Sequence, residues 1–194
     1  MRRSCSRRKK IIHVAKKTLK LDKYALDPRA WRDFGKHNYK ASMYLFESHD
    51  VMLVFAAATL GHHALEMFLK AALILEGATV FDPAKVSRLD PSVRLDAADC
   101  AWGHNLGVLA RKLAARRPDF DLKQPMIFLM PWHVPTQTMC VNPTIEQGFE
   151  LFDPFFSELR YPQELKTMGG VGEDDKLVLS ELVKSLEPFL EKIK

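Results

Sequence analysis

The longest stretch with a consistent pattern runs from Val51 to Gly77. Apolar side chains cover most of its circumference at about 100° per residue, which predicts one long helix surrounded by others. Its polar residues do not scatter. Thr59, His63, Glu66 and Lys70 follow spacings of four, three and four, with His62 beside them, so they share one arc roughly 100° wide. Glu66 and Lys70 also stand in the better order for an ion pair along a helix. A buried helix carrying one polar stripe needs polar partners elsewhere, because an unpaired buried ion is costly.

The flanking pattern predicts further helices. One begins at Asp27-Pro28, a cap followed by Pro at the first helical position, and continues through Trp31, Phe34, Tyr39, Met43 and Phe46. Gly35 weakens it, and Ser48-His49-Asp50 turns the chain into the central helix, which Gly77 closes. Val80 to Cys100 is less regular, with Asp82-Pro83 and Asp90-Pro91 as turn or cap signals. A third helix is expected from Trp102 to Arg116, its inner face formed by Leu106, Leu109, Ala110, Leu113 and Ala114. Arg111, Lys112, Arg116 and Arg117 crowd its end, where the helix dipole favours cations.

Residues 124–143 hold Pro125, Pro131, Pro135 and Pro143 around an apolar run, Met126-Ile127-Phe128-Leu129-Met130, then Trp132-His133. That is too apolar for a free loop, and suits a flap packed on the helices or part of a dimer contact. Ile145, Phe149, Phe152, Phe156 and Leu159 have helical spacing, with Asp153-Pro154 breaking or restarting the helix and Arg160-Tyr161-Pro162 ending it. Glu173-Asp174-Asp175 opens a last helix that packs through Leu179, Leu182, Leu186, Phe189 and Ile193, its final turns loosened by Pro188. Nothing between these segments reads as a sheet. The expected class is all-α, an up-and-down bundle of four or five helices with a Pro-rich apolar insertion before the fourth.

Charge changes the picture only at one end. Residues 1–20 hold nine of the 29 Lys and Arg and no acid, so the rest of the chain carries 20 bases against 24 acids. The pI of about 9.1 therefore belongs to the tail and says little about partners of the folded body. Residues 1–22 read as a basic arm, solvated or touching nucleic acid or acidic lipid, and residues 23–194 as one helical domain. Cys5, Cys100 and Cys140 match neither a disulfide framework nor a zinc spacing, and suit a reducing compartment. No secretory signal or membrane span is visible, so a cytoplasmic chain without membrane contact is expected.

Two clusters outside the central helix offer partners to the stripe: Gly103-His104-Asn105-Leu106 and Arg160-Tyr161-Pro162. Together with His63-Ala64-Leu65-Glu66-Met67-Phe68-Leu69-Lys70-Ala71, their order and separation over residues 30–190 resemble the HEPN family of small prokaryotic helical domains. The resemblance implies a helical bundle, usually a homodimer, with a polar pocket drawn from His63, Glu66, Lys70, His104, Asn105, Arg160 and Tyr161. It implies nucleotide or RNA as ligand, or a nucleotidyltransferase-type partner. Ribonucleases of the family need an Arg and then, after four to six residues, a His at the last-helix boundary, the imidazole moving protons and the guanidinium steadying phosphate charge. Here no His comes after Arg160. Before it, that spacing occurs in the first helix at Arg32 and His37, where it reads as chance.

The expected function is thus a HEPN-like dimeric binding or regulatory module for nucleotide or RNA, without the standard ribonuclease chemistry. One alternative is a metal-independent, toxin-like endoribonuclease using Arg160 with His104 or His63. Another is a purely structural half of a toxin–antitoxin type pair, its stripe a sealed ion-pair network. No cofactor is expected, and no metal: a di-iron bundle wants Glu-x-x-His on two helices, and a zinc protease His-Glu-x-x-His, neither of which occurs.

Overall fold

A computed structural model of the chain describes residues 26–48, 50–89, 96–126, 143–157 and 173–194. The fold is all-α, and among the described residues no strand forms beyond two isolated bridges, Thr79 with Cys100 and Pro125 with Thr144. Helix α1 (Pro28–Glu47) starts where Asp27 accepts from the Arg29 N–H, and α2 runs Val51–Leu75. Short α3 (Pro83–Leu89) comes after Asp82, which accepts from the Ala84 N–H, and a 3-10 turn spans Ala97–Asp99. Then come α4 (Leu106–Arg116), α5 (Ile145–Phe152), α6 (Pro154–Ser157) and α7 (Glu173–Leu190). No helix among the described residues is long and apolar enough to cross a membrane.

The centre is α2, as its pattern predicts. It packs on α1, α4, α5, α6 and α7, and Ala64, Leu65, Phe68, Leu69 and Leu73 are all buried. Each such Leu or Phe contributes on the order of 1.5–3 kcal/mol of apolar burial. The α1–α2 pairing is antiparallel: Gly35 lies against Phe68, and the buried Ser42 hydroxyl donates to the Ala57 carbonyl at 2.7 Å. Gly35 weakens α1 only as a propensity. A Cβ there would stand 2.6 Å from the Phe68 ring, so its absence lets the two helices meet. At its far end α2 closes with the Gly77 and Ala78 N–H groups on the Ile74 and Leu73 carbonyls and Gly77 at φ 81°, a left-handed cap.

Two expectations are corrected here. The third long helix begins at Leu106 rather than Trp102, because Gly103 adopts φ 102° and Asn105 caps the helix at Leu106. The up-and-down order also fails at this helix. His104, just before α4, meets Glu66, while Arg116 and Arg117 at its end meet Glu76, so α4 runs in the same sense as α2. The long connection 76–105, whose described residues hold only short α3 and the 3-10 turn, makes this return. Alternation resumes afterwards: α5 is antiparallel to α4, with Arg111 on Glu146 near its start and the Leu106 and Gly107 amides on Asp153 just past its end. On the other side, α7 is antiparallel to α1, with Lys176 on Glu47 and Arg32 on the Ile193 carbonyl.

The Asp153-Pro154 signal is a restart. Helix α5 ends at Phe152 and α6 begins at Pro154. Pro188 lies within α7, which continues to Leu190. Of the apolar insertion, Met126 is buried and its N–H donates to the Pro143 carbonyl, while residues 127–142 lie outside the described residues. The basic arm, Asp90-Pro91, the Phe156 side chain, Leu159, Arg160 and Tyr161 lie outside them as well.

Candidate functional site

Glu66 is the point where the stripe and the α4 approach converge. Its carboxylate is 2% exposed. One oxygen, Oε1, accepts from Lys70 Nζ at 2.5 Å. The other, Oε2, is 3.0 Å from His104 Nδ1 and 3.9 Å from both His63 Nδ1 and His62 Nε2. A carboxylate only accepts, so the His104 ring carries its proton on Nδ1. Burial by itself would raise the Glu66 pKa, but His63, Lys70 and His104 outweigh it and hold the group at about 2. It is an anion throughout the working range of a protein.

Each neighbour is held by its own element. Lys70 lies one helical turn beyond Glu66, and its ammonium is 5.3 Å from the centre of the Trp31 ring on α1, a cation–π contact. His62 is fully buried, and its Nδ1 donates to the Phe152 carbonyl at the end of α5 at 2.8 Å. Burial pushes its pKa down to about 4, so this ring is neutral near pH 7. Thr59, at the other end of the stripe, donates its hydroxyl to its own helix at the Phe55 carbonyl.

His104 reaches the stripe because the turn before α4 is tied down. Asn105 accepts from the Val108 N–H at 2.7 Å, and the Asp153 carboxylate takes the Leu106 and Gly107 N–H groups. The first three amides of α4 are thereby satisfied by two side chains from different parts of the chain. Burial raises the Asp153 pKa, opposed by those two amides.

Of the predicted site residues, His63, Glu66, Lys70 and His104 come together, and Asn105 serves as the cap that positions His104. Arg160 and Tyr161 lie outside the described residues. The Arg32–His37 spacing forms no site: Arg32 turns to the Ile193 carbonyl and His37 to the Asp33 carbonyl of its own helix. Three contributors are not legible in the sequence. Asp153 reads as helix punctuation, Trp31 as core, and nothing local marks the Phe152 carbonyl that holds His62.

Two of the four residues are partly exposed. His63 is 31% exposed and His104 51%, while Glu66 and Lys70 beneath them are buried. Among the described residues no group of three or more His, Cys, Asp and Glu is arranged to hold a metal ion. The hollows of about 330 Å³ beside Met126 and about 320 Å³ between α1 and α7 lie elsewhere and contain none of these four residues. Chemically, the cluster presents two imidazoles oriented by one compensated carboxylate, which suits binding of an anion or movement of a proton. Comparison of the chain with family models, with curated proteins and with solved structures finds no match.

Proposed function

We propose that this chain is a HEPN-like, dimeric binding or regulatory module for nucleotide or RNA, acting without the Arg–His ribonuclease pair. The observation that carries the reading is Glu66, a buried carboxylate whose charge Lys70 matches and whose second oxygen turns two part-exposed imidazoles outward. A network serving the fold alone has no need to keep His104 half exposed. Two part-exposed imidazoles over an internally charge-matched carboxylate favour phosphate-bearing ligands. The ordered motifs at His63–Lys70, His104-Asn105 and Arg160-Tyr161 support the kinship. The partner is a second copy, or a protein of nucleotidyltransferase type.

The test is direct. Light scattering on the purified chain is expected to return twice its 22.2 kDa. Titration of labelled single-stranded RNA and of nucleotides should give saturable binding, weakened about tenfold or more in His104→Ala, with the RNA left intact. Cleavage of single-stranded RNA that disappears in Arg160→Ala would overturn the reading. So would a failure of every nucleotide and RNA to bind.

A further inference from the structure

We propose that Trp102 is a stacking platform for an unpaired base, so that the turn before α4 takes the base of a nucleotide or of a single RNA strand. This rests on the binding reading above and adds the base to it, and it needs no charge on His63 or His104.

Tryptophan carries a large apolar ring, and covering that ring stabilises a fold. Trp31 behaves so, packed against the core with Lys70 over its ring. Trp102 does not: it is 51% exposed. Among the described residues its ring meets no other ring and no cation, and its indole N–H has no acceptor.

This exposure is not looseness, because the backbone is tied down on both sides of the ring. Ahead of it, the Ala101 amide donates to the Thr79 carbonyl at 2.6 Å, the Thr79 amide donates to the Asp99 carbonyl at 2.9 Å, and Lys112 donates to the Cys100 carbonyl at 2.6 Å. Cys100 and Ala101 are buried. Behind it, Asn105 caps α4 and Asp153 takes the Leu106 and Gly107 amides. Between these anchors Gly103 adopts φ 102°, a conformation that L side chains rarely take, and a Cβ there would meet nothing within 4 Å. The turn thus presents an indole beside open space, and only the two side-chain torsions are left to order when a ligand arrives.

Chemistry selects what fills that space. A flat aromatic face with no ring upon it takes another flat π-system, and every nucleobase offers one. Bases paired inside a duplex have both faces covered, so the ligand is an unpaired base. A protein partner would favour an aromatic anchor ringed by packed contacts. Trp102 is followed instead by Gly103, the half-exposed His104 and the exposed Asn105. The Cα atoms of Trp102 and His104, two residues apart, lie within about 7 Å. The ring therefore stands beside the Glu66 cluster, which His104 meets at 3.0 Å.

Fluorescence anisotropy of a labelled oligoadenylate with the full chain tests this. Trp102→Ala is expected to weaken binding about tenfold, and Trp102→Phe, which keeps a ring, about threefold or less. A strand of the same length with abasic sugars keeps the phosphates and lacks the bases. It should bind the unaltered chain about tenfold more weakly and be indifferent to Trp102→Ala. Stacking also quenches the indole, so bound oligoadenylate should lower the tryptophan emission of the unaltered chain by a larger fraction than that of Trp102→Phe, in which Trp31 and Trp132 remain. AMP competes in a separate arm: displacement assigns the base to a nucleotide, its absence assigns the base to a strand, and both outcomes support the inference. Equal binding of the adenylate and abasic strands, or full affinity for oligoadenylate in Trp102→Ala, overturns the inference and leaves nucleic-acid binding standing. A fall from dimer to monomer mass in Trp102→Ala overturns it too, and gives the ring to the subunit contact. If neither RNA nor AMP binds the unaltered chain, the binding reading falls, and this inference with it.

Discussion

Glu66 is the residue on which the interior chemistry turns, and removing its charge should show how much depends on it. Glu66→Gln keeps the shape but leaves Lys70 buried beside a neutral amide. Breaking a buried pair on one side costs about 3–5 kcal/mol, so urea unfolding should show a loss of that size. Glu66→Gln/Lys70→Met removes both charges, and much of the stability is expected to return. A double-variant loss equal to the sum of the single losses would mean the two groups do not interact.

The same cluster predicts an acid-sensitive fold. The His62 pKa is lowered from 6.5 to about 4, so the unfolded chain binds more protons between those values. Its contribution is complete above pH 6.5 and is lost as pH falls to 4. Glu66, lowered from 4.5 to about 2, adds a second loss across that lower range. Unfolding free energy measured in urea should therefore decline in two stages, each on the order of a few kcal/mol. His62→Leu is expected to lower the plateau, since the Phe152 carbonyl loses its donor, and to flatten the upper stage.

At the scale of elements, the start of α4 shows how local and distant signals divide the work. Asn105 caps α4 by offering its side-chain oxygen to the first turn, but with the helix start placed at Trp102 it reads in the sequence only as a pocket residue. Asn105→Ala is expected to lower stability by about 1 kcal/mol, read as a drop in the urea midpoint with an unchanged slope. On the proposed binding function it should also weaken RNA or nucleotide binding, since the cap fixes the backbone beside His104. Apolar spacing alone puts the start at Trp102 instead of Leu106, because nothing in that spacing reveals the positive φ of Gly103. The second anchor, Asp153, lies 47 residues from the Leu106 amide it holds. No local rule pairs them.

At the scale of the whole molecule, α2 touches every other long helix, so opening any one of them exposes only part of its surface. Amide hydrogen exchange should be slowest across Ala64–Leu73, with protection there tracking global unfolding and earlier exchange in α3. Faster exchange in the centre of α2 than in α1 or α7 would contradict its role as the hub. The topology has a consequence for the site as well. Because α4 runs alongside α2 in the same sense, its N-terminal turn reaches the middle of α2, where Glu66 lies, and its C-terminal arginines reach Glu76.

What the sequence by itself determined were the features encoded within a few residues: the cap at Asp27, an interruption at Asp153-Pro154, the closure at Gly77, and the near-continuous apolar surface of α2 with its Glu66–Lys70 pair. These depend on backbone geometry and helical period, which act over one or two turns. Only the tertiary structure decided that His104 meets Glu66, that Phe152 and Asp153 hold His62 and the α4 turn, that Gly35 makes room for Phe68, and that α4 returns parallel to α2. Each of those is a contact between residues far apart in the chain, settled by which apolar faces pack together and by the need to pair every buried charge. Neither condition has a signature in the spacing along a single helix.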